Sequence, residues 1–218
     1  MTRAEIRARI AEIGIIPAVR LHSAEDALFA AEAIYGAGIP IVEVTTTVPG
    51  AVEVIRELAQ HNPELVVGAG TLFYTDSARR CLDAGAKFLT TTGFDMDIVQ
   101  LALGRDTVVF PGVLTASEAM AAFKAGCDFV KIFPCAQVGG PTYIRALKAS
   151  FPQIPLIASG GVNQQTAADY VRAGAAALGI GADLIHQDAI KHRNHSWIRE
   201  LARRYTNIVT ETRQEFSQ

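Results

Sequence analysis

The sequence predicts a (β/α)8 barrel of the TIM type with one extra helix at its N-terminus. Three observations predict it. Short β-branched runs alternate with Ala-rich amphipathic stretches, and eight candidate strands begin near Ile15, Ile39, Leu65, Lys87, Thr107, Asp128, Pro155 and Ala176. Their spacing of 20–27 residues is the length of one strand–helix unit. The runs are continuously apolar, as in Ile39-Pro40-Ile41-Val42 and Thr107-Val108-Val109-Phe110, which suits a parallel sheet covered on its outer face. Finally, Ala37-Gly38, Ala84-Gly85, Ala125-Gly126 and Ala173-Gly174 each fall just before an even-numbered strand. Glycine just past a helix end is the usual left-handed stop, and its recurrence suggests duplicated βαβα pieces. A doubly wound sheet fits less well, because no strand leads into a G-x-G-x-x-G turn.

Taken in order, Thr2 to Gly14 reads as the extra helix, placed to close the bottom of the barrel. The first strand, Ile15-Ile16-Pro17-Ala18-Val19, ends in Arg20. Glu43 and Thr45 end the second, Thr71 follows the third, and Thr91 and Thr92 end the fourth. The fifth is the wholly apolar run from Thr107. The sixth carries Lys131 within Asp128-Phe129-Val130-Lys131-Ile132-Phe133-Pro134, and Ser159 ends the seventh before Gly160-Gly161. Gly179-Ile180-Gly181-Ala182 follows the eighth. Past Ile190 the chain turns polar, and a last amphipathic helix is expected over about Ser196 to Tyr205, with a frayed tail after Thr210. One domain over 1–218 is expected, with its barrel core at about 15–190 and the C-terminal helix and tail at 191–218.

Composition narrows the function. The 218 residues are half hydrophobic and 19% charged, with a formal net charge of −2. That describes a globular chain, with no basic run to serve nucleic acid and no apolar stretch of the ~18 residues a membrane span needs. The N-terminus lacks a signal-peptide core. Three cysteines, Cys81, Cys127 and Cys135, show no metal-ligand spacing, so a reduced, cytoplasmic protein is expected. The five histidines show no metal spacing tied to a strand end, so no metal is expected.

Lys131 is the most informative residue. Of five lysines it alone falls late in an apolar run. Desolvation disfavours an ammonium, and a neutral amine can attack a carbonyl to form a Schiff base. The alternatives are a snorkelling lysine or half of an internal ion pair. Period two puts Ile41, Glu43 and Thr45 on one face of their strand, and Phe129, Lys131 and Phe133 on one face of theirs. If both faces point inward, Glu43 and Lys131 converge at the mouth, where barrels of this kind hold their sites. A carboxylate in a dry pocket could then move protons for imine chemistry. Arg20 suits a substrate carboxylate. Ser159-Gly160-Gly161-Val162-Asn163 reads as an anion nest, with Asn163 capping a helix that starts near Gln164. Cys135 reads as a small buried filler.

These residues resemble a known family. The segments Ile16-Pro17-Ala18-Val19-Arg20, Val42-Glu43-Val44-Thr45, Val67-Gly68-Ala69-Gly70-Thr71, Phe110-Pro111-Gly112-Val113, Val130-Lys131-Ile132-Phe133-Pro134, Ser159-Gly160-Gly161-Val162 and the eighth-strand glycines are similar, in order, to the 2-keto-3-deoxy-6-phosphogluconate (KDPG) and 4-hydroxy-2-oxoglutarate (KHG) aldolases. The resemblance runs from about Ile15 to Ile185. It implies a class I pyruvate aldolase acting on a keto acid, homotrimeric, with no metal or other cofactor. Lys131 would be the Schiff-base lysine and Glu43 the general acid–base. Arg20, Thr71, Thr92, Phe133 and Ser159 would touch substrate, and Gly160, Gly161, Gly181 and Ala182 would offer backbone amides to a phosphate.

The departures bear on substrate. Many members carry an arginine where this chain has Thr47, so Arg20 is expected to take the carboxylate contact. Ala182 stands where the family has a phosphate-binding serine, a lost donor worth about 0.5–1.5 kcal/mol. The run Cys135-Ala136-Gln137-Val138-Gly139-Gly140-Pro141 is similar to the branch that cleaves 2-keto-3-deoxy-6-phosphogalactonate, which leaves the C4 configuration open. Two other readings remain: a phosphate-binding barrel epimerase or isomerase that needs no imine, and a non-catalytic binding barrel.

Overall fold

The computed structural model describes residues 1–216 of the chain. Nine parallel strands line up in the order β5-β4-β3-β2-β1-β9-β8-β7-β6. They are β1 Ile15–Val19, β2 Ile41–Thr45, β3 Val66–Leu72, β4 Phe88–Thr91, β5 Val108–Phe110, β6 Gly112–Val113, β7 Val130–Ile132, β8 Leu156–Ser159 and β9 Ala177–Ile180. The eight expected strands become nine because the fifth breaks at Pro111, between β5 and β6. Proline has no N–H to give a ladder. The broken strand still closes the barrel. The Asp128 N–H donates to the Val109 carbonyl, and the Lys131 N–H to that of Pro111, each at 3.0 Å.

The bottom of the barrel is plugged. Helix α1, Arg3–Ile13, starts at a Thr2–Glu5 capping box and stops at Gly14, whose φ is 68°. Its Ile6 and Ile10 join Ile16, Ile41, Val66, Phe88, Val108, Phe110, Phe129, Ile157 and Ala177 in the barrel interior. Arg3 pins the plug by holding buried Asp128 through both carboxylate oxygens at 2.9–3.1 Å. Inside, Phe88 stacks on Phe110 at 5.2 Å, and Phe129 meets Phe110 edge-on at 6.1 Å. These rings form a dry floor beneath the mouth.

The outer helices bury the opposite strand faces: α2 Ala24–Tyr35, α3 Ala51–His61, α4 Thr75–Asp83, α5 Met96–Gly104, α6 Ala116–Lys124 and α7 Pro141–Ser150 follow in order, and the helices after β8 and β9 close the ring. Two depart from expectation. The last helix, α10, runs His195–Gln214, because Tyr205, Val209 and Thr212 are buried and continue its inward face. The tail expected to fray after Thr210 is therefore helical to Gln214, and Ser217 and Gln218 lie outside the described residues. The helix expected near Gln164 begins at Ala167 (α8, Ala167–Arg172), and Asn163 instead accepts from the Gln165 and Thr166 N–H groups of the turn before it. A short helix, α9 Gln187–Lys191, had no sequence signal. No helix among the described residues is long and apolar enough to cross a membrane.

Candidate active site

One cavity of about 590 Å³ opens at the carboxyl ends of the strands. Register explains its contents. In β2, Ile41 points down to the floor and Glu43, two residues on, reaches the cavity. Phe129, Lys131 and Phe133 repeat the pattern about β7. Glu43 is 5% exposed and Lys131 6%. Burial pushes the Lys131 amine below the ordinary lysine range; the Glu43 carboxylate opposes that shift and the Arg20 guanidinium adds to it. Among the described residues no hydrogen bond or ion pair joins Lys131 directly to Glu43. The pair therefore faces a shared space rather than closing on itself, as a structural buried ion pair would. The Phe133 ring centroid lies 5.5 Å from Lys131 Nζ.

Glu43 fits only because of Gly70. The strands pair Glu43 with Gly68 and Thr45 with Gly70. A Cβ on Gly70 would fall 1.8 Å from Glu43 Oε1 and 2.3 Å from its carboxyl carbon. The glycine is the floor on which the carboxylate rests.

Arg20 and Thr71 stand together on one side of the cavity. Arg20 leaves the end of β1 and its Nη2 donates to Thr71 Oγ1 at 2.8 Å. Thr47 does not line the cavity; its hydroxyl pairs with that of Thr45 at 2.8 Å. Opposite, Gly160 and Gly161 have φ of 85° and 86°, and a Cβ on Gly161 would meet the Ala136 Cβ at 2.3 Å. Position 161 therefore needs glycine for both backbone and packing. Thr92, Ser159, Gly181 and Ala182 complete the expected set, and all eleven residues proposed from sequence line this one cavity. Thr91 does not. Its hydroxyl accepts from the Gly112 N–H and donates to the Gly93 carbonyl, securing the break in the fifth strand.

Sequence reasoning missed His22, Asp183 and Gln187, which also line the cavity. His22 lay two residues past a strand end already singled out, and Asp183 one past Ala182, so position alone could have flagged both. Gln187 enters with α9 and had no local signal. Cys135 is fully buried beside the site, and burial pushes its thiol up to about 11, so it stays protonated and inert. Among the described residues no three His, Cys, Asp or Glu side chains gather as a metal-binding set.

Comparison with known proteins adds to this geometry. The family model "KDPG and KHG aldolase" matches residues 6–201. A 2-dehydro-3-deoxy-phosphogluconate aldolase of Pseudomonas aeruginosa is 32% identical over 160 residues, 73% of each chain. A 2-dehydro-3-deoxy-6-phosphogalactonate aldolase of Escherichia coli is 31% identical over 175 residues, covering 79% of this chain and 85% of that one. The crystal structure of a KDPG aldolase from Legionella pneumophila, with pyruvate captured as a covalent carbinolamine, superposes with a TM-score of 0.84. It is 31% identical and covers 90% of this chain and 95% of the other.

Proposed function

The chain belongs to the KDPG and KHG aldolase family, and from that premise we propose that it is a class I aldolase releasing pyruvate from a 2-keto-3-deoxy-6-phospho sugar acid. 4-Hydroxy-2-oxoglutarate, which would give pyruvate and glyoxylate, is the smaller substrate of the same site. One observation carries the reading: a buried lysine with a depressed pKa and a buried carboxylate face the same cavity without pairing.

Neutral Lys131 Nζ attacks the C2 ketone, and the carbinolamine loses water to give an iminium. Glu43, acting through a water molecule, supplies and removes the protons of that dehydration. It then takes the C4 hydroxyl proton as the C3–C4 bond breaks. The bonding pair passes into the iminium and leaves a pyruvate enamine and a free aldehyde. Protonation at C3 and hydrolysis return Lys131 and release pyruvate. Arg20 and Thr71 hold the carboxylate, Thr92, Phe133 and Ser159 line the chain of the substrate, and amides of Gly160, Gly161, Gly181 and Ala182 receive the phosphate. An epimerase would have no use for a depressed lysine pKa opposite an unpaired carboxylate.

Borohydride reduction in the presence of pyruvate, followed by peptide mass spectrometry, tests the chemistry. The expected product is one reduced pyruvyl adduct, on Lys131. Folded protein that binds pyruvate but gives no adduct would overturn the reading. Relative kcat/KM for the 6-phosphogluconate- and 6-phosphogalactonate-derived keto acids then settles the C4 configuration, for which the two relatives' similar identities give no preference.

Arg20→Ala is expected to raise KM for the keto acid about tenfold while pyruvate still traps on Lys131, since a charge-assisted bond is lost and the amine is untouched. Steady-state kinetics beside trapping check this, and unchanged kinetics would remove the assignment.

We propose the homotrimer as the assembly. Its support is a set of exposed apolar side chains on the loops and helices after neighbouring strands: Phe73, Tyr74, Met96, Leu114 and Met120. The chain is 23.3 kDa, and light scattering is expected to return three times that mass. A monomeric mass at micromolar concentration would dismiss it.

A further inference from the structure

We propose that Thr46 is a positioning residue for the carboxylate subsite, holding Thr71 in a strained backbone conformation that aims its hydroxyl at Arg20 and into the cavity. The inference rests on the aldolase reading above and deepens it.

Thr71 has a φ of 58°. That is the left-handed region, where a β-branched residue is a genuine outlier. Only three non-glycine residues among those described have positive φ, and of these only Thr71 lines the cavity. Strain of this kind persists only where the surroundings over-determine it. Here the pairing of β3 with β4 also slips between Ala69 and Leu72, which turns the side chain out of the regular alternation.

What over-determines the turn is Thr46, the first residue past β2. Its N–H donates to the Gly70 carbonyl at 2.8 Å and its hydroxyl to the Thr71 carbonyl at 2.9 Å. These two bonds grip the peptide units on either side of the Thr71 Cα. Thr46 itself lies outside the cavity. The chain of contacts runs from Thr46 to the Thr71 backbone, from the Thr71 hydroxyl to Arg20, and so to the group that receives the substrate carboxylate. Its neighbours do separate work: Thr45 donates to the Val19 carbonyl at 3.1 Å and pairs with Thr47.

The test uses Thr46→Val, which keeps the branched shape and removes the hydroxyl, with Thr46→Ser as the conservative rescue. Two quantities are read: KM and kcat for cleavage, and the pyruvate concentration for half-maximal borohydride trapping on Lys131. Thr46→Val is expected to raise KM and the half-trapping concentration roughly threefold to tenfold and to leave kcat within about twofold, the signature of lost ground-state binding. Thr46→Ser is expected to restore both. In a Thr71→Gly background the left-handed turn no longer needs holding, so adding Thr46→Val is expected to change neither quantity by more than about twofold. Wild-type KM in Thr46→Val, or the same loss in both backgrounds, would overturn the proposal. Should the parent protein itself give no Lys131 adduct, the aldolase reading falls and this inference falls with it. An adduct in the parent confines any failure to Thr46.

Discussion

Lys131→Met is expected to abolish cleavage while leaving the protein at least as stable. Methionine matches the lysine stem in shape and needs no hydration. Loss of a covalent nucleophile leaves only binding and polar contributions, so kcat should fall by roughly four orders of magnitude or more. The stability side has a sign that can be worked out. Burial holds the Lys131 pKa below its unfolded value, so between the two values the unfolded chain binds the extra proton. Stability of the parent therefore rises with pH through that window, and the cost of the buried ammonium is fully present below the folded pKa. The gain from Lys131→Met should be largest below the folded pKa and shrink as pH approaches 10.5, the ordinary lysine value. Urea unfolding at several pH values beside an activity assay checks both halves. A destabilised variant at pH 7 would mean that Lys131 serves the fold. The same depressed pKa predicts that imine formation speeds up with pH until the amine is neutral.

Gly70→Ala carries the second-largest expected effect, from a single methyl group. With its Cβ 1.8 Å from Glu43 Oε1, either the carboxylate or the β3 backbone must move. A displaced general acid–base costs about 10²–10⁴ in rate. The variant should therefore lose kcat on that scale, close to the loss in Glu43→Gln. Combining the two should cost little more than either alone, because both remove the same group. Gly70→Ala with near-parental kcat would show that Glu43 does not need its present seat to work.

Much of this was legible in the chain because a barrel strand exposes its chemistry to simple counting. Period two put Ile41 and Glu43 together on the inward face of one strand, and Phe129 and Lys131 on that of another, and the register holds because a one-residue slip would turn each charge out into the helix layer. The helix-stopping glycines at Gly38, Gly85, Gly126 and Gly174 each sit at a positive φ of 90–108°, as their position before an even-numbered strand implied. What stayed hidden depends on backbone geometry rather than on residue type. Nothing in the letters Gly70-Thr71 says that the threonine is left-handed, or that the glycine is the seat of a carboxylate from the next strand. The break at Pro111 was not expected, and its repair through the Lys131 N–H leaves no trace in the letters. Gln187 reaches the cavity only after a turn that follows β9, in which the Leu184 and Ile185 N–H groups both donate to the Gly181 carbonyl. The end of α10 was underestimated because the polar residues after Tyr205 mask Val209 and Thr212, which keep the buried stripe going.

The plugged floor also imposes an order in time. With Ile6 and Ile10 beneath the aromatic rings, the chamber is a cul-de-sac, entered and left through one door. Once the carbon–carbon bond breaks, the fragment bonded to Lys131 stands behind the one that is free. The aldehyde must clear the doorway before water can finish its work on the pyruvyl unit and let it follow. In cleavage the aldehyde leaves first and pyruvate last, and the N-terminal helix, far from any reacting atom, denies either one a second exit through the floor.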